Sequence, residues 1–499
     1  MQQQRFLFPA LWLLTAWRLA LLHTHDLGPQ EALAVAAAHH AGWNWLGVGP
    51  LMPLLTGVGT MIFGENEFGV RFLAPWLMLG TSLCLWRLAR GLHDQTTAAW
   101  TLVVVNVMPV FNLAAVTLTP GTVSMAMVAG MALCLHVALH RASRWHPAWF
   151  GCAGCLMLAI WADALNLMAL LVVVAALGIH RRRRHHLLKP GFGIVYAGWI
   201  IAGGTWLAWD WQRGWPWLET CGLFTMADVP QSLARWIAGA SPALLVILLI
   251  SLRHISVWRV MKPHHALVLG FTVPLLLLDL FSAAAQSRPA GVFSAWMIMA
   301  VPAAVRWSRR ETNLAPERRV MLRTLILALA GLQSILLLQT DMLRHLGVPW
   351  SFAQDATPYP GDPSGERHGW RRGAEVITAV LADAEKEKPG AWMVITDDWR
   401  LAAPLAFYLK REVGVMPADT PVAHTFWPRY DAMRADGTGA RGMSALFITA
   451  DADLSVPPRA IADVFEREQP LSVARIMHGG HEVRTLKIFA CHTYRPPDL

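Results

Sequence analysis

The feature that most constrains this chain is the repeated return of apolar runs long enough, with their flanks, to cross or nearly cross a hydrocarbon core. They are Phe6–Leu22, Phe72–Leu88, Thr101–Ala115, Val123–Leu139, Trp149–Trp161, Asn166–Ile179, Ile194–Trp211, Ala243–Leu252, Leu267–Phe281, Val292–Val305 and Leu325–Leu338. The pattern predicts about eleven membrane spans, give or take two. In 499 residues, 55% are hydrophobic and 15% charged, which places the chain in the membrane class and excludes a large soluble enzyme.

Arginine placement sets the expected orientation, because cationic loops resist translocation while acidic residues count for little. With Arg5 at a cytoplasmic N-terminus, alternate loops hold Arg87 and Arg90, Arg141 and Arg144, Arg181 to Arg184 with Lys189, Arg253, Arg259 and Lys262, then Arg306, Arg309, Arg310, Arg318 and Arg319. The opposite loops are almost free of such clusters. An odd number of spans puts everything after about Thr340 outside, in the periplasm of a bacterial inner membrane or its equivalent. The first run carries Trp17 and Arg18 and has no small-residue cleavage site after it, so it reads as a span and not a cleavable signal.

The net charge of +9 is accounted for by this inside bias, and nucleic acid is not needed as a partner. Cys152 and Cys155 have CxxC spacing within an apolar helix, where small soft side chains pack. Cys221 and Cys491 share the outer side in this topology, but nothing requires them to pair.

The expected domains are a transmembrane body over residues 1–341, a linker over 342–365, and an outer α/β domain over 366–499. A first outer loop, 23–68, joins the first two spans. Within it, the alanine-rich stretch Glu31 to Ala41 predicts a short helix on or near the membrane surface. A second outer loop, Gln212 to Arg235, brings Trp215 and Trp217 beside Trp209 and Trp211, as in an interfacial aromatic belt. In the outer domain, Trp370–Glu387, Leu401–Lys410 and Arg459–Glu466 have helical patterns. Ala391–Thr396, Ser444–Thr449, Val473–Met477 and Val483–Cys491 read as strands, with a hairpin turn at Gly479–Gly480. The fold class is therefore a mostly α, polytopic membrane protein with a C-terminal soluble α/β domain.

Leu27–Glu31 (LGPQE), Phe63–Arg71 (FGENEFGVR), Leu118–Thr122 (LTPGT), His368–Arg371 (HGWR), the run Asp397–Leu409, and Arg429, Tyr430 and Asp431 come in a definite order. In that order they resemble the membrane glycosyltransferases that take sugars from polyprenyl-phosphate donors, of the protein O-mannosyltransferase and aminoarabinose transferase type. The family pattern runs SPDEA, a short helix, HPP, FGxNExxxR and then ATPD. The resemblance implies a lipid-linked sugar donor as the co-substrate, and leaves a divalent metal open.

The departures fall on acids. The acid of PDEA, which in the family acts as base on the acceptor, is Gln30 here; the acid of ATPD is Gly121; the HPP histidine is Val48. An amide cannot take a proton at neutral pH, so Gln30 cannot be a general base. Glu31 and Asp26 remain as candidate bases, although from Gln30 to Glu31 one step along a helix turns a side chain well away from its neighbour's direction. The other reading of Glu31 is a first-turn carboxylate favoured by the helix dipole. His39 and His40 point to different sides of that helix and do not share a metal.

Arg71 and Arg288 are candidate phosphate partners, because a guanidinium grips phosphate bidentately; each could instead snorkel to a headgroup. Asp279, inside an apolar run, implies a partner or a polar cavity, and Asp163 reads as a turn residue. Asp397, Asp398 and Arg400 stand where α/β units place ligands, with N-capping as the other reading of Asp398. Arg429 and Tyr430 are candidate sugar contacts or, equally, a clamp between domains.

Two functions follow from the resemblance: transfer of a sugar from a polyprenyl-phosphate donor to an outer-leaflet lipid, glycan or protein, or a catalytically inactive relative that binds a lipid phosphate or scaffolds a partner membrane protein. A transporter is disfavoured by the absence of paired broken helices and internal repeats.

Overall fold

The computed structural model describes residues 4–39, 49–140, 145–178, 184–212, 240–242, 244–246, 293–308, 316–338, 367–387, 392–416, 442–451, 453–478 and 481–495. They fall into two compact units. One comprises residues 1–22, 49–64 and 68–338; the other comprises 23–48, 65–67 and 339–499. The stretch 23–68, expected as one outer loop, is thus divided: 23–48 and 65–67 group with the C-terminal region, while 49–64, which holds the apolar helix Leu51–Phe63, groups with the helical unit.

The first unit is helical. Its described helices are α1 (Gln4–Ala20), α3 (Leu51–Phe63), α5 (Leu73–Leu92), α6 (Gln95–Val107), α7 (Pro109–Ala114), α8 (Pro120–His140), α9 (Pro147–Ala162), α10 (Ala169–Gly178), α11 (Pro190–Gln212), α12 (Phe293–Ser308) and α13 (Pro316–Leu338). Helices α2 (Pro29–His39) and α4 (Glu67–Arg71) precede α3 and α5 respectively. Among the described residues, three stretches are long and apolar enough to cross a membrane: Glu67–Leu92, Pro120–His140 and Pro190–Trp209. Shorter apolar helices cover Phe6–Ala20, Leu51–Phe63, Pro147–Ala162 and Val320–Leu336. The runs expected at Ala243–Leu252 and Leu267–Phe281 lie largely or wholly outside the described residues.

One expected run is broken. Thr101–Ala115 divides into α6 and α7 because Pro109 has no amide to continue the ladder, and Met108 is extended (φ −63°, ψ 129°). The break leaves carbonyls that an apolar medium would penalise. Asn112 Nδ2 donates to Asn106 O at 3.0 Å and Ser334 Oγ donates to Val107 O at 2.8 Å, which repairs it. Asn112 Oδ1 in turn accepts from the buried Arg18 Nη2 at 2.7 Å, and the guanidinium carbon lies 5.4 Å from the centre of the Phe111 ring.

Helix α8 packs against α9, and α9 against α11. The α8–α9 contact is reciprocal. A Cβ at Gly151 would stand 2.9 Å from Cys134 Sγ, and one at Gly130 would stand 2.9 Å from Cys155 Sγ. Each helix thus offers a glycine and, four residues on, a thiol that covers the other's glycine. Close helix approach over small residues supplies packing where lipid removes the hydrophobic drive. The thiols pack, as expected, and all four described membrane cysteines are free.

The second unit carries a five-stranded sheet in the order β2-β1-β3-β5-β4. Its strands are β1 (Trp392–Thr396), β2 (Gly414–Val415), β3 (Ser444–Thr449), β4 (Phe465–His478) and β5 (His481–Tyr494). Strands β2, β1 and β3 are parallel, and β5 is antiparallel to both β3 and β4. Helix α14 (Trp370–Glu387) precedes β1, and α15 (Trp399–Leu409) carries the chain on toward β2. Every residue of β1 and β3 is buried, as for strands covered on both faces, and Met393, Ile395, Phe447, Phe489 and Tyr494 form a core.

The expected helix over Arg459–Glu466 is shorter: α16 spans Arg459–Ala462, and Phe465 already pairs with Tyr494 in the β4–β5 ladder. The ladder overrides the local helical pattern there. The two glycines of the expected hairpin turn lie outside the described residues, but His478 pairs with His481 across it. Cys221 is likewise not described, while Cys491 is a free thiol in the sheet core, and burial pushes its pKa up to about 12.

Candidate functional site

The segment that should present the reactive acid is the start of α2. Pro29 occupies its first position, where a missing amide does no harm, and Gly28 O accepts from Ala32 N at 3.0 Å. Glu31 is 2% exposed and turned back on its own helix: the Gly28 amide donates to Glu31 Oε2 at 3.1 Å. This is the reach-back half of a capping box, which satisfies an amide that the helix leaves over. Gln30, at the family's acid position, is half-buried.

The other carboxylates of this stretch are engaged within the second unit. Asp26 Oδ2 accepts from Trp370 N at 2.8 Å and Arg371 N at 3.3 Å, so it covers the amides that open α14. Gly369, just before them, has φ +83° and lies under Ile476 and Val483, a place that a side chain could enter only with strain. Glu67 pairs with Arg371 and accepts from Tyr408 Oη at 3.1 Å. The bond to Glu67 holds the Arg371 guanidinium above its ordinary pKa. Glu65 meets Lys410 Nζ at 3.3 Å and His39 Nε2 at 3.5 Å. Helix α2, expected on the membrane surface, buries Ala32, Leu33, Ala34, Val35 and Ala37 and packs against α15.

Within the first unit, Arg71 is 2% exposed, and its Nη1 donates to Leu22 O at 3.1 Å, just past the end of α1. A guanidinium at a helix C-terminus is electrostatically favourable, so at least one donor of this candidate phosphate ligand serves the fold. Gly121 is buried in the first turn of α8. There, Thr119 Oγ1 and Thr122 Oγ1 bond each other at 3.2 Å, and Thr122 Oγ1 donates to Thr117 O at 2.8 Å. The LTPGT element therefore opens a helix and presents no ionisable group. Gly49, on an HPP proline position, has φ +87°, and a Cβ there would lie 2.5 Å from Ala162 O. Only glycine fits. Asp163 ends α9 and is 3% exposed; its carbonyl accepts from Asn166 N at 3.0 Å, as for a turn residue.

In the sheet domain, Asp398 caps α15 by accepting from Arg400 N at 2.9 Å, which is the capping reading. Asp397 accepts from Thr449 Oγ1 at 2.5 Å, and burial holds its carboxyl above the usual range. Arg288, Asp279, Arg429, Tyr430 and Val48 lie outside the described residues. Among the described residues there is no group of three or more His, Cys, Asp or Glu side chains arranged to hold a metal. Sequence reasoning missed Tyr408 and Arg371 as partners of the first loop. The acidic loop and the basic, aromatic stretch were both visible, but the pairing was not.

A mostly helical chain with apolar helices and a C-terminal α/β sheet is similar in architecture to solved structures of ArnT and AglB. Residues 47–209 match the family model described as dolichyl-phosphate-mannose-protein mannosyltransferase. The solved structure of ArnT from Cupriavidus metallidurans in the apo state is similar over 98% of each chain, at 14% identity and a TM-score of 0.62. The same protein bound to undecaprenyl phosphate gives 15% identity and a TM-score of 0.61, again over 98% of each chain. The oligosaccharyltransferase AglB from Archaeoglobus fulgidus, in complex with an inhibitory peptide and a dolichol-phosphate, aligns over 90% of this chain and 70% of its own. The identity there is 11% and the TM-score 0.52. No curated protein matches in sequence. The resemblance read from the motifs is borne out, and the fold is shared across nearly the whole chain.

Proposed function

We propose that this protein transfers a sugar from a polyprenyl-phosphate donor to an acceptor at the outer face of an inner membrane, with its N-terminus cytoplasmic and its C-terminal α/β domain outside. The observation that carries this reading is the whole-chain likeness to a structure bound to undecaprenyl phosphate. Such a donor has a good leaving group, so the reaction needs a base for the acceptor hydroxyl and cationic stabilisation of the departing phosphate. Arg288 is the candidate for the second role, with any donors of Arg71 not used in the fold. Asp279, Arg429 and Tyr430 are candidate contacts to the donor. Membrane lipids and the lipid-linked sugar are the partners this reading requires.

One specific observation favours the second reading, an inactive relative that binds the lipid phosphate or scaffolds another membrane protein. Glu31 and Asp26, the candidate bases near Gln30, accept from backbone amides: Glu31 from Gly28, and Asp26 from Trp370 and Arg371. The test is release of polyprenyl phosphate from mannosyl-, glucosyl- and aminoarabinosyl-type donors by the full chain in lipid nanodiscs. Transfer above background supports the enzyme. Absence of transfer, with a stoichiometric protein recovered in native pulldown, supports the scaffold.

A further inference from the structure

Tyr408 connects two stretches of chain that sequence separates by 381 residues. Its hydroxyl accepts from the Leu27 amide at 2.8 Å and donates to Glu67 Oε1 at 3.1 Å. The geometry is that of a two-way relay, in which one oxygen serves as acceptor toward the start of the first loop and donor toward its end. Burial pushes the Tyr408 phenol upward, so it keeps the proton it donates. Glu67 is also held by Arg371, whose own amide, with that of Trp370, is covered by Asp26, the residue before Leu27. Asp26, Leu27, Glu67, Arg371 and Tyr408 therefore form a closed ring of contacts. Next along the chain come Gly28 to Glu31, the segment that holds Gln30.

We propose that Tyr408 is a positioning residue for the Leu27–Glu31 segment: its hydroxyl clamps both ends of the first loop to α15, so that the segment presented to substrate is set by the C-terminal domain. This rests on the transferase reading for its catalytic consequence, but the clamp itself does not. Tyr408 acts through the backbone of Leu27. The α2–α15 packing supports the same face of contact, and Lys410, immediately past α15, reaches Glu65 with a donor at 3.3 Å. Its backbone is left-handed, at φ 52°.

The test is hydrogen exchange on the full chain in nanodiscs, comparing wild type with Tyr408→Phe, which removes the hydroxyl and keeps the ring. Peptides covering Leu27–Glu31 should exchange at least about ten-fold faster, the cost of one protecting bond, with β1, β3 and β5 unchanged. Unchanged exchange at Leu27, or an equal rise across the sheet, overturns the proposal. Where the wild type turns over a donor, Tyr408→Phe should lower kcat with the donor KM unmoved, and a change in KM alone also overturns it. Where the wild type turns over none, the transferase reading fails and the exchange result by itself decides the clamp.

Discussion

The Gly28 amide donates to Glu31 Oε2 at 3.1 Å, which ties the one carboxylate next to Gln30 to the N-terminus of the helix that bears it. A carboxylate in that bond is already an acceptor in use, and its direction is set by the cap and not by an incoming hydroxyl. With Asp26 over the amides of α14, and Glu65 and Glu67 paired to Lys410 and Arg371, the acids of the first loop serve to dock it.

Glu31→Gln keeps an oxygen for the Gly28 amide and should leave both turnover and stability close to wild type, within about 0.5 kcal/mol. Glu31→Ala removes the cap and should cost about 1 kcal/mol. Denaturation of the full chain and a donor-turnover assay measure both, and abolished turnover in Glu31→Gln would make Glu31 the base after all.

Gln30→Asp restores the family acid at the second position of α2, where the dipole favours a negative charge. If a missing base limits transfer, turnover should rise by about 10²-fold, the lower range for general-base catalysis. An unchanged rate in a donor-release assay would mean that the acid position is not what limits this protein.

Asp397→Asn should raise the unfolding temperature of the sheet domain at pH 7. Burial holds this carboxyl above its unfolded range, so the folded state binds the extra proton and ionisation opposes folding. The stability it takes away is absent below the unfolded pKa and grows as pH rises through the folded one. The difference between variant and wild type should therefore shrink on acidification, which melting curves across pH will show.

Gly151→Leu should destabilise the membrane unit by roughly 1–3 kcal/mol, the range for overpacking, because its Cβ alone would meet Cys134 Sγ at 2.9 Å. Gly154→Ala, one turn on with open space around it, should be tolerated. Thermal unfolding in detergent distinguishes them, and equal effects would mean that the α8–α9 contact is looser than described.

Much of the architecture was legible because it follows from local repetition. Apolar runs separated by arginine clusters mark membrane helices; Trp370–Glu387 and Ser444–Thr449 carry their 3.6- and buried-strand patterns within themselves, and both were found with those bounds. The N-terminal turn role of Glu31 was readable too, since the helix dipole favours a carboxylate there; its bond to the Gly28 amide was not. The break in Thr101–Ala115 had its signal in Pro109, but a continuous apolar run concealed it.

What sequence alone determined here is most of the elements, though not the helix Leu51–Phe63 or the strand Gly414–Val415, and the loss of acids at Gln30 and Gly121. Tertiary structure alone decided that the two ends of the first loop, 23–48 and 65–67, group with the C-terminal domain, because that depends on Tyr408, Arg371 and Lys410 reaching Leu27, Glu67 and Glu65. Hydrogen bonds between residues hundreds of positions apart leave no periodicity in a chain; they exist only once packing has brought donor and acceptor within about 3 Å.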